Sequence, residues 1–91
     1  MADEDILKIL KTDLQIVSDK LDEYLKGLIT SAKGFVQKEG ISLQDTVEDG
    51  MLVEMYAAYL YRKRRAETAA MPRMLRWAMN NRLLSQKAGE Q

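Results

Sequence analysis

The side chains that most enzymes use for nucleophilic and acid–base chemistry are scarce in this chain of 91 residues, which has no cysteine and no histidine. Thiolate nucleophiles, imidazole bases and zinc sites of the Cys/His type are therefore excluded. Adjacent acids remain, but each pair falls in the first turn of a predicted helix, where the helix dipole accounts for it. With no glycine-rich phosphate loop, we predict a protein that is not an enzyme and needs no cofactor or metal. Examples are Asp22 with Glu23 and Glu48 with Asp49.

A run of four cations is the densest charged group, and it leaves three interpretations open. Cations at the C-terminal end of a helix are favoured by the dipole. Together with three later arginines they could contact the phosphates of nucleic acid, and arginines beside aromatic side chains are typical of protein contacts. The run comprises Arg62, Lys63, Arg64 and Arg65, and the later arginines are Arg73, Arg76 and Arg82.

Charge is balanced overall but unevenly spread along the chain. A net charge of zero and a pI of about 6.3 are unfavourable for a small dedicated DNA-binding domain. Residues 1–45 hold nine acids and six bases, whereas residues 46–91 hold five acids and eight bases, including all six arginines. Such a dipole favours head-to-tail association between copies.

The length allows one domain of marginal stability, for which association between copies would compensate. The start MADED is acidic where a secretory signal would be basic, and no apolar run reaches the length of a membrane span. We expect a soluble intracellular protein, or a soluble part of an assembly, that does not bind membranes.

One proline, five glycines and apolar residues at spacings of three and four predict an all-α chain. We predict a single domain over 1–91, a small bundle of about four helices with a disordered tail at 87–91. Expected end signals are Ser18 and Thr46 as N-caps, Gly40 as a left-handed C-cap, and Pro72 in the first turn of the last helix. The predicted helices are 3–11, 19–38, 46–65 and 72–86.

Apolar residues suggest which sides of the helices are buried. The third helix has a wide predicted stripe, whereas Met74 and Trp77 fall off the buried side of the fourth and predict an exposed apolar patch. Gly27 and Gly34 share one side of the second helix, which fits either a close helix neighbour or a tolerated surface. The predicted stripe comprises Val47, Met51, Leu52, Met55, Tyr56, Tyr59 and Leu60.

In the second half, a predicted helix ends Tyr-x-x-Arg, and a proline, apolar residues and an arginine follow a short loop. This arrangement resembles the small helical head–tail connector proteins of tailed bacteriophages, the adaptor or head-completion family beneath the portal. That family's pattern is an aromatic-rich helix ending Tyr-x-x-Arg, a short loop, and then a proline followed by apolar residues and an arginine. The segment LITSAKGFVQ also resembles a family segment, so the resemblance covers residues 5 to 84. It departs at Ala78-Met79, where a leucine pair is expected, and at the large Trp77. The matching residues are Tyr61, Arg64, Pro72, Leu75 and Arg82.

The resemblance implies a structural virion protein whose subunits form a ring on the portal. Such a ring extends the DNA channel without reading sequence and connects to a head-closure or tail protein. The implied location is the head–tail junction of the virion, and the host cytoplasm during assembly. Candidate contacts with other subunits or the portal are Tyr59, Tyr61, Arg62, Arg64, Arg65, Arg73 and Trp77.

Pro72, Leu75 and Arg82 are the structural motif of this interpretation. We also expect Arg64 and Arg82 to pair with acids of the same or a neighbouring subunit. The alternative is a small helical nucleic-acid-binding or regulatory protein that uses the same arginines on phosphates.

Overall fold

Four α-helices form the part of the chain that the computed structural model describes, residues 1–65 and 70–89. Within these ranges there is no strand, so the predicted all-α class and the bundle of four helices are confirmed. None of the described helices combines the length and apolar character that crossing a membrane requires. The helices are α1, Asp3–Asp13; α2, Asp22–Lys38; α3, Val47–Arg65; and α4, Arg73–Gly89.

Three of the predicted end signals lie at helix ends, and one prediction fails at the start of α2. The prediction that Ser18 caps this helix is wrong, because its hydroxyl accepts the Lys20 N–H at 3.1 Å in a preceding turn and α2 begins at Asp22. At the other end, Gly40 has φ of 97°, the left-handed conformation expected of a residue that follows a helix. Glycine adopts it without a steric penalty.

Helices α3 and α4 each start one residue after the predicted position. The Thr46 hydroxyl accepts the Asp49 N–H at 3.1 Å, which is the expected cap. Pro72 directly precedes α4, and its carbonyl accepts the Arg76 N–H at 3.1 Å. Helix α4 continues to Gly89, so residues 87–89 are helical rather than part of a disordered tail. Residues 90–91, and most of the predicted break between α3 and α4, lie outside the described residues.

Helix α3 is the centre of the bundle, because it contacts α1, α2 and α4. Its buried side includes the small residues Gly50, Ala57 and Ala58, which let neighbouring helices approach closely. The Met1 side chain fills the space over Gly50, where an added Cβ would lie 2.6 Å from the Met1 sulfur. The largest fully buried side chains of the core are Ile6, Leu10, Leu25, Ile29, Ile41, Leu75 and Val36.

Two positions of the predicted α3 stripe are instead exposed, as is Phe35 of α2. Val47 and Met51 belong to the predicted stripe of α3, but the side bearing the small residues is the one that packs. Phe35 lies at the rim of the core and stacks on Tyr56 with the ring centroids 5.6 Å apart.

The two glycines of α2 lie on its outer surface. Among the described residues, no atom of another element lies within 4 Å of a Cβ built at Gly27 or Gly34. Within the described residues, no helix packs closely against these two glycines, which leaves the alternative of tolerated surface positions.

Candidate interaction surfaces

An open cleft lies where the start of α2 meets the C-terminal end of α3. It has a volume of about 340 Å³ and brings three of the candidate contact residues together with two residues near the start of α2. We call it the α2–α3 cleft. Its lining residues are Leu21, Tyr24, Tyr61, Arg64 and Arg65.

Two arginines of the α2–α3 cleft lie over tyrosine rings. The Arg64 guanidinium carbon is 4.8 Å from the ring centroid of Tyr24, and that of Arg65 is 5.2 Å from the centroid of Tyr61. The neighbouring Tyr24 hydroxyl raises the pKa of Arg64. Within the described part of this chain, Arg64 thus contacts an aromatic ring and forms no ion pair, which leaves an acid of a neighbouring subunit as its predicted partner. A planar cation over a ring, at the edge of an open cleft, suits contact with a protein surface.

The remaining cations of the run point to other neighbours. Lys63 lies over the ring of Tyr59, 5.7 Å from its centroid. Tyr59 in turn packs edge-on against Tyr56, with centroids 5.7 Å apart, and is half-buried at the core. Tyr59 therefore lies outside the α2–α3 cleft, although the sequence grouped it with the same candidate contacts.

Arg62 faces the C-terminal end of α1 and a buried acid that the sequence did not single out. Its guanidinium is 3.4 Å from the Asp13 carboxylate. Beside them Glu54 is only 3% exposed, and its Oε1 has no hydrogen-bond partner in the described structure. Burial raises the pKa of Glu54 to about 8, Asp13 adds to the rise and Arg62 opposes it. The signal that we missed is the position of Glu54 on the small-residue side of α3, four residues after Gly50.

Arg82 makes the ion pair expected of it, with Asp49 of the same chain. Its Nε donates to Asp49 Oδ1 at 2.6 Å, while one terminal nitrogen donates to Asp49 Oδ2 at 3.1 Å and to the Ser42 carbonyl at 2.9 Å. Asp49 also accepts the Gln44 N–H at 2.7 Å. Burial alone would raise the pKa of Asp49, but the hydrogen bonds from Arg82 and Gln44 outweigh burial and hold it below its usual value.

Gln86, one turn after Arg82, extends the same contact between α4 and the linker 39–46. Its carbonyl oxygen accepts the Ser42 N–H at 2.7 Å, and its amide nitrogen donates to the Gly40 carbonyl at 2.8 Å. Leu75 is buried in the core on the same side of α4. Arg82, Gln86 and Leu75 thus fix the orientation of α4 on the bundle.

The outer side of α4 is the second exposed surface with aromatic and cationic residues. Met74 and Trp77 are 69% and 66% exposed, which confirms the predicted patch, and Leu84 joins it at 65%. Arg73 is exposed at the start of the same helix. Five of the seven candidate contacts thus divide between the α2–α3 cleft and the outer side of α4, whereas Tyr59 and Arg62 lie on neither surface.

No protein-family model, curated protein or solved structure matches this chain. Its function is therefore inferred from its own residues and from these two surfaces.

Proposed function

We propose that the protein is a head–tail connector subunit of a tailed bacteriophage, a structural protein without catalytic activity. The observation that carries the proposal is the presence of two different exposed surfaces, the α2–α3 cleft and the outer side of α4. A subunit that joins a ring on the portal and also meets a tail-side protein needs different surfaces for these partners. Both surfaces combine arginine with aromatic residues, the types that dominate the energy of protein interfaces.

Charge and size support the same proposal. The acidic first half and the basic second half would attract each other between neighbouring subunits. A domain of 91 residues buries a modest share of its unfolded surface, so assembly would add stability.

The residues then take distinct roles. In the α2–α3 cleft, Tyr61, Arg64 and Arg65 contact a neighbouring subunit or the portal. On α4, Trp77 and Arg73 contact a different surface, such as that of a head-closure or tail protein. Pro72, Leu75 and Arg82 act inside the subunit, where they start α4 and hold its orientation. DNA passes through the ring without sequence readout.

Binding of nucleic acid is the alternative, and the described contacts reduce the number of cations available for it. Arg82 is bound to Asp49, Arg62 faces Asp13, and Arg64 stacks on Tyr24. Phosphate contacts release counterions, so nucleic-acid binding would weaken steeply with salt. Micromolar or tighter binding of duplex DNA at physiological salt would favour the alternative.

Negative-stain electron microscopy of concentrated protein, alone and mixed with the portal of the phage that encodes it, tests the proposal. We expect rings on the portal in both the wild-type protein and the control K63A, whose lysine lies outside the α2–α3 cleft. The double variant Y61A/R64A should lose them while its circular dichroism spectrum stays helical. If the wild-type protein neither forms rings nor binds the portal, the connector proposal is wrong.

A further inference from the structure

Helix α4 has two opposite apolar sides, of which the bundle covers one. The inner side buries Leu75 and Met79, and on the same side Arg82 and Gln86 bind the linker and α3. The inner side alone is sufficient to pack α4 against the core. A surface helix that contacts nothing else is polar on its remaining sides.

The outer side of α4 is apolar along most of the helix. At 100° per residue, Met74, Trp77, Leu84 and Ala88 fall within an arc of about 80° that lies opposite the buried side. All four are exposed. We call these four residues the outer stripe. Asn81 is the one polar residue within this arc. The exposed apolar side chains around it mark a binding surface for another molecule.

The charged residues that border the outer stripe are all cations, and they lie along one of its two edges. Helix α4 contains four bases and no acid. Arg82 is bound to Asp49, whereas Arg73, Arg76 and Lys87 are exposed and form no ion pair with any described residue. By helical position these three cations border the same edge of the outer stripe, spread over about 21 Å of helix. The opposite edge is neutral, with Ser85.

We infer that the outer stripe binds an amphipathic helix of another protein, with acidic residues along the side that faces the three cations. A partner helix lying along α4 would bury the large apolar side chains in a helix-to-helix contact. Its acids would lie near both ends of the contact, opposite Arg73 and Arg76 at one end and Lys87 at the other. The inference follows from α4 alone and does not depend on the ring.

Three other occupants fit the outer stripe less well. The same surface of a second copy would place like charges together, which costs binding free energy. Nucleic acid would meet Met74 and Leu84 at the centre of the surface, with a single aromatic ring for stacking. A membrane-binding helix carries a broad cationic polar side, but the side of α4 opposite the outer stripe is buried in the bundle.

Trp77 is the only tryptophan of the chain, so its fluorescence reports directly on the outer stripe. The probes are synthetic helical peptides of roughly 18 residues, about five turns, that share a leucine stripe and differ only in flanking residues of Glu, Gln or Lys. With the full chain, we expect the Glu peptide to shift Trp77 emission to the blue and to bind at least about tenfold more tightly than the Lys peptide, the Gln peptide lying between.

Variants that preserve the fold locate the binding. M74S and L84S should each weaken binding of the labelled Glu peptide by roughly tenfold. The matched control is V17S, which removes an apolar side chain that is 97% exposed elsewhere on the chain. The double variant R73E/R76E should reverse the preference to the Lys peptide, and acids in the first turn of α4 are compatible with its dipole.

The outcomes that overturn the inference are distinct. They are equal affinity for the Glu and Lys peptides, no binding of any peptide, or an equal loss of binding in V17S. A blue shift with phosphatidylserine-containing vesicles but not with the Glu peptide would assign the outer stripe to a membrane. Salt-sensitive quenching by duplex DNA, without peptide binding, would assign it to nucleic acid.

Discussion

Asp49 and Glu54 lie five residues apart on α3 and are equally buried, at 2% and 3% exposure, yet their surroundings act in opposite directions. Asp49 accepts hydrogen bonds from Arg82 and from the Gln44 N–H, and its pKa lies below the usual value. Glu54 meets the Asp13 carboxylate, and its pKa is raised to about 8. Burial raises the pKa at both sites, and only at Asp49 do hydrogen-bond donors outweigh it.

The two acids therefore give opposite pH dependences. The depressed pKa of Asp49 contributes stability above the ordinary value of an aspartate, and this contribution is lost as pH falls through the folded-state pKa. Glu54 keeps its proton in the folded state up to about pH 8, whereas the unfolded chain releases it near 4.5. Its contribution is complete below the unfolded value and is lost as pH rises toward 8.

The largest effect is expected from removing the partner of Asp49. R82A leaves a carboxylate buried without its ion pair, and should lower the free energy of unfolding by about 3 kcal/mol. Urea denaturation followed by circular dichroism measures it. The matched control R76A removes an exposed arginine of the same helix and should change little. Equal stability of R82A and R76A would show that the Asp49 site does not need Arg82.

The next largest effect is the pH dependence that Glu54 gives to the free energy of unfolding. Between roughly pH 5 and about pH 9 the wild-type protein should lose on the order of 3 kcal/mol from this group. E54Q cannot ionise, so its stability should lack this loss, and at the alkaline end it should exceed that of the wild type. Urea denaturation across the pH range measures both. E48Q, at an exposed glutamate of the same helix, should follow the wild type; an E54Q profile parallel to the wild type would contradict a raised Glu54 pKa.

A smaller effect, on the pKa of Glu54, separates the contribution of burial from that of the neighbouring Asp13 carboxylate. D13N removes the neighbouring charge but leaves the Glu54 side chain buried, so the pKa of Glu54 should fall and yet remain above its ordinary value. A carbon-13 NMR titration of the Glu54 carboxyl follows it directly. A pKa that returns fully to the ordinary value would make Asp13, rather than burial, the main cause.

The smallest effect is expected from removing the uncharged hydrogen bonds that Gln86 makes between α4 and the linker. Q86A removes two hydrogen bonds to backbone groups, which should cost about 1 kcal/mol. The control is Q37A, at an exposed glutamine of α2. If Q86A were as destabilising as R82A, the hydrogen bonds of Gln86 and not the ion pair of Arg82 would dominate this contact.

The sequence by itself determined the features that depend on a few neighbouring residues. Apolar spacing predicts the four helices, Gly40 and Thr46 set two helix ends, and the helical positions of Met74 and Trp77 predict their exposure. These features follow from the period of the helix and from caps formed within three or four residues. They are readable without knowledge of the fold.

Only the tertiary structure decided which charged groups meet. Arg82 and Asp49 are 33 positions apart, and Arg62 and Asp13 are 49 apart. The cations of residues 62–65 look uniform in the sequence, but Arg62 reaches Asp13 of α1 and Arg64 reaches the Tyr24 ring of α2. Likewise, local preference places acids early in α3, but only helix packing buries Glu54 beside another carboxylate. Such pairings depend on distances between helices, and those distances are fixed when the core packs.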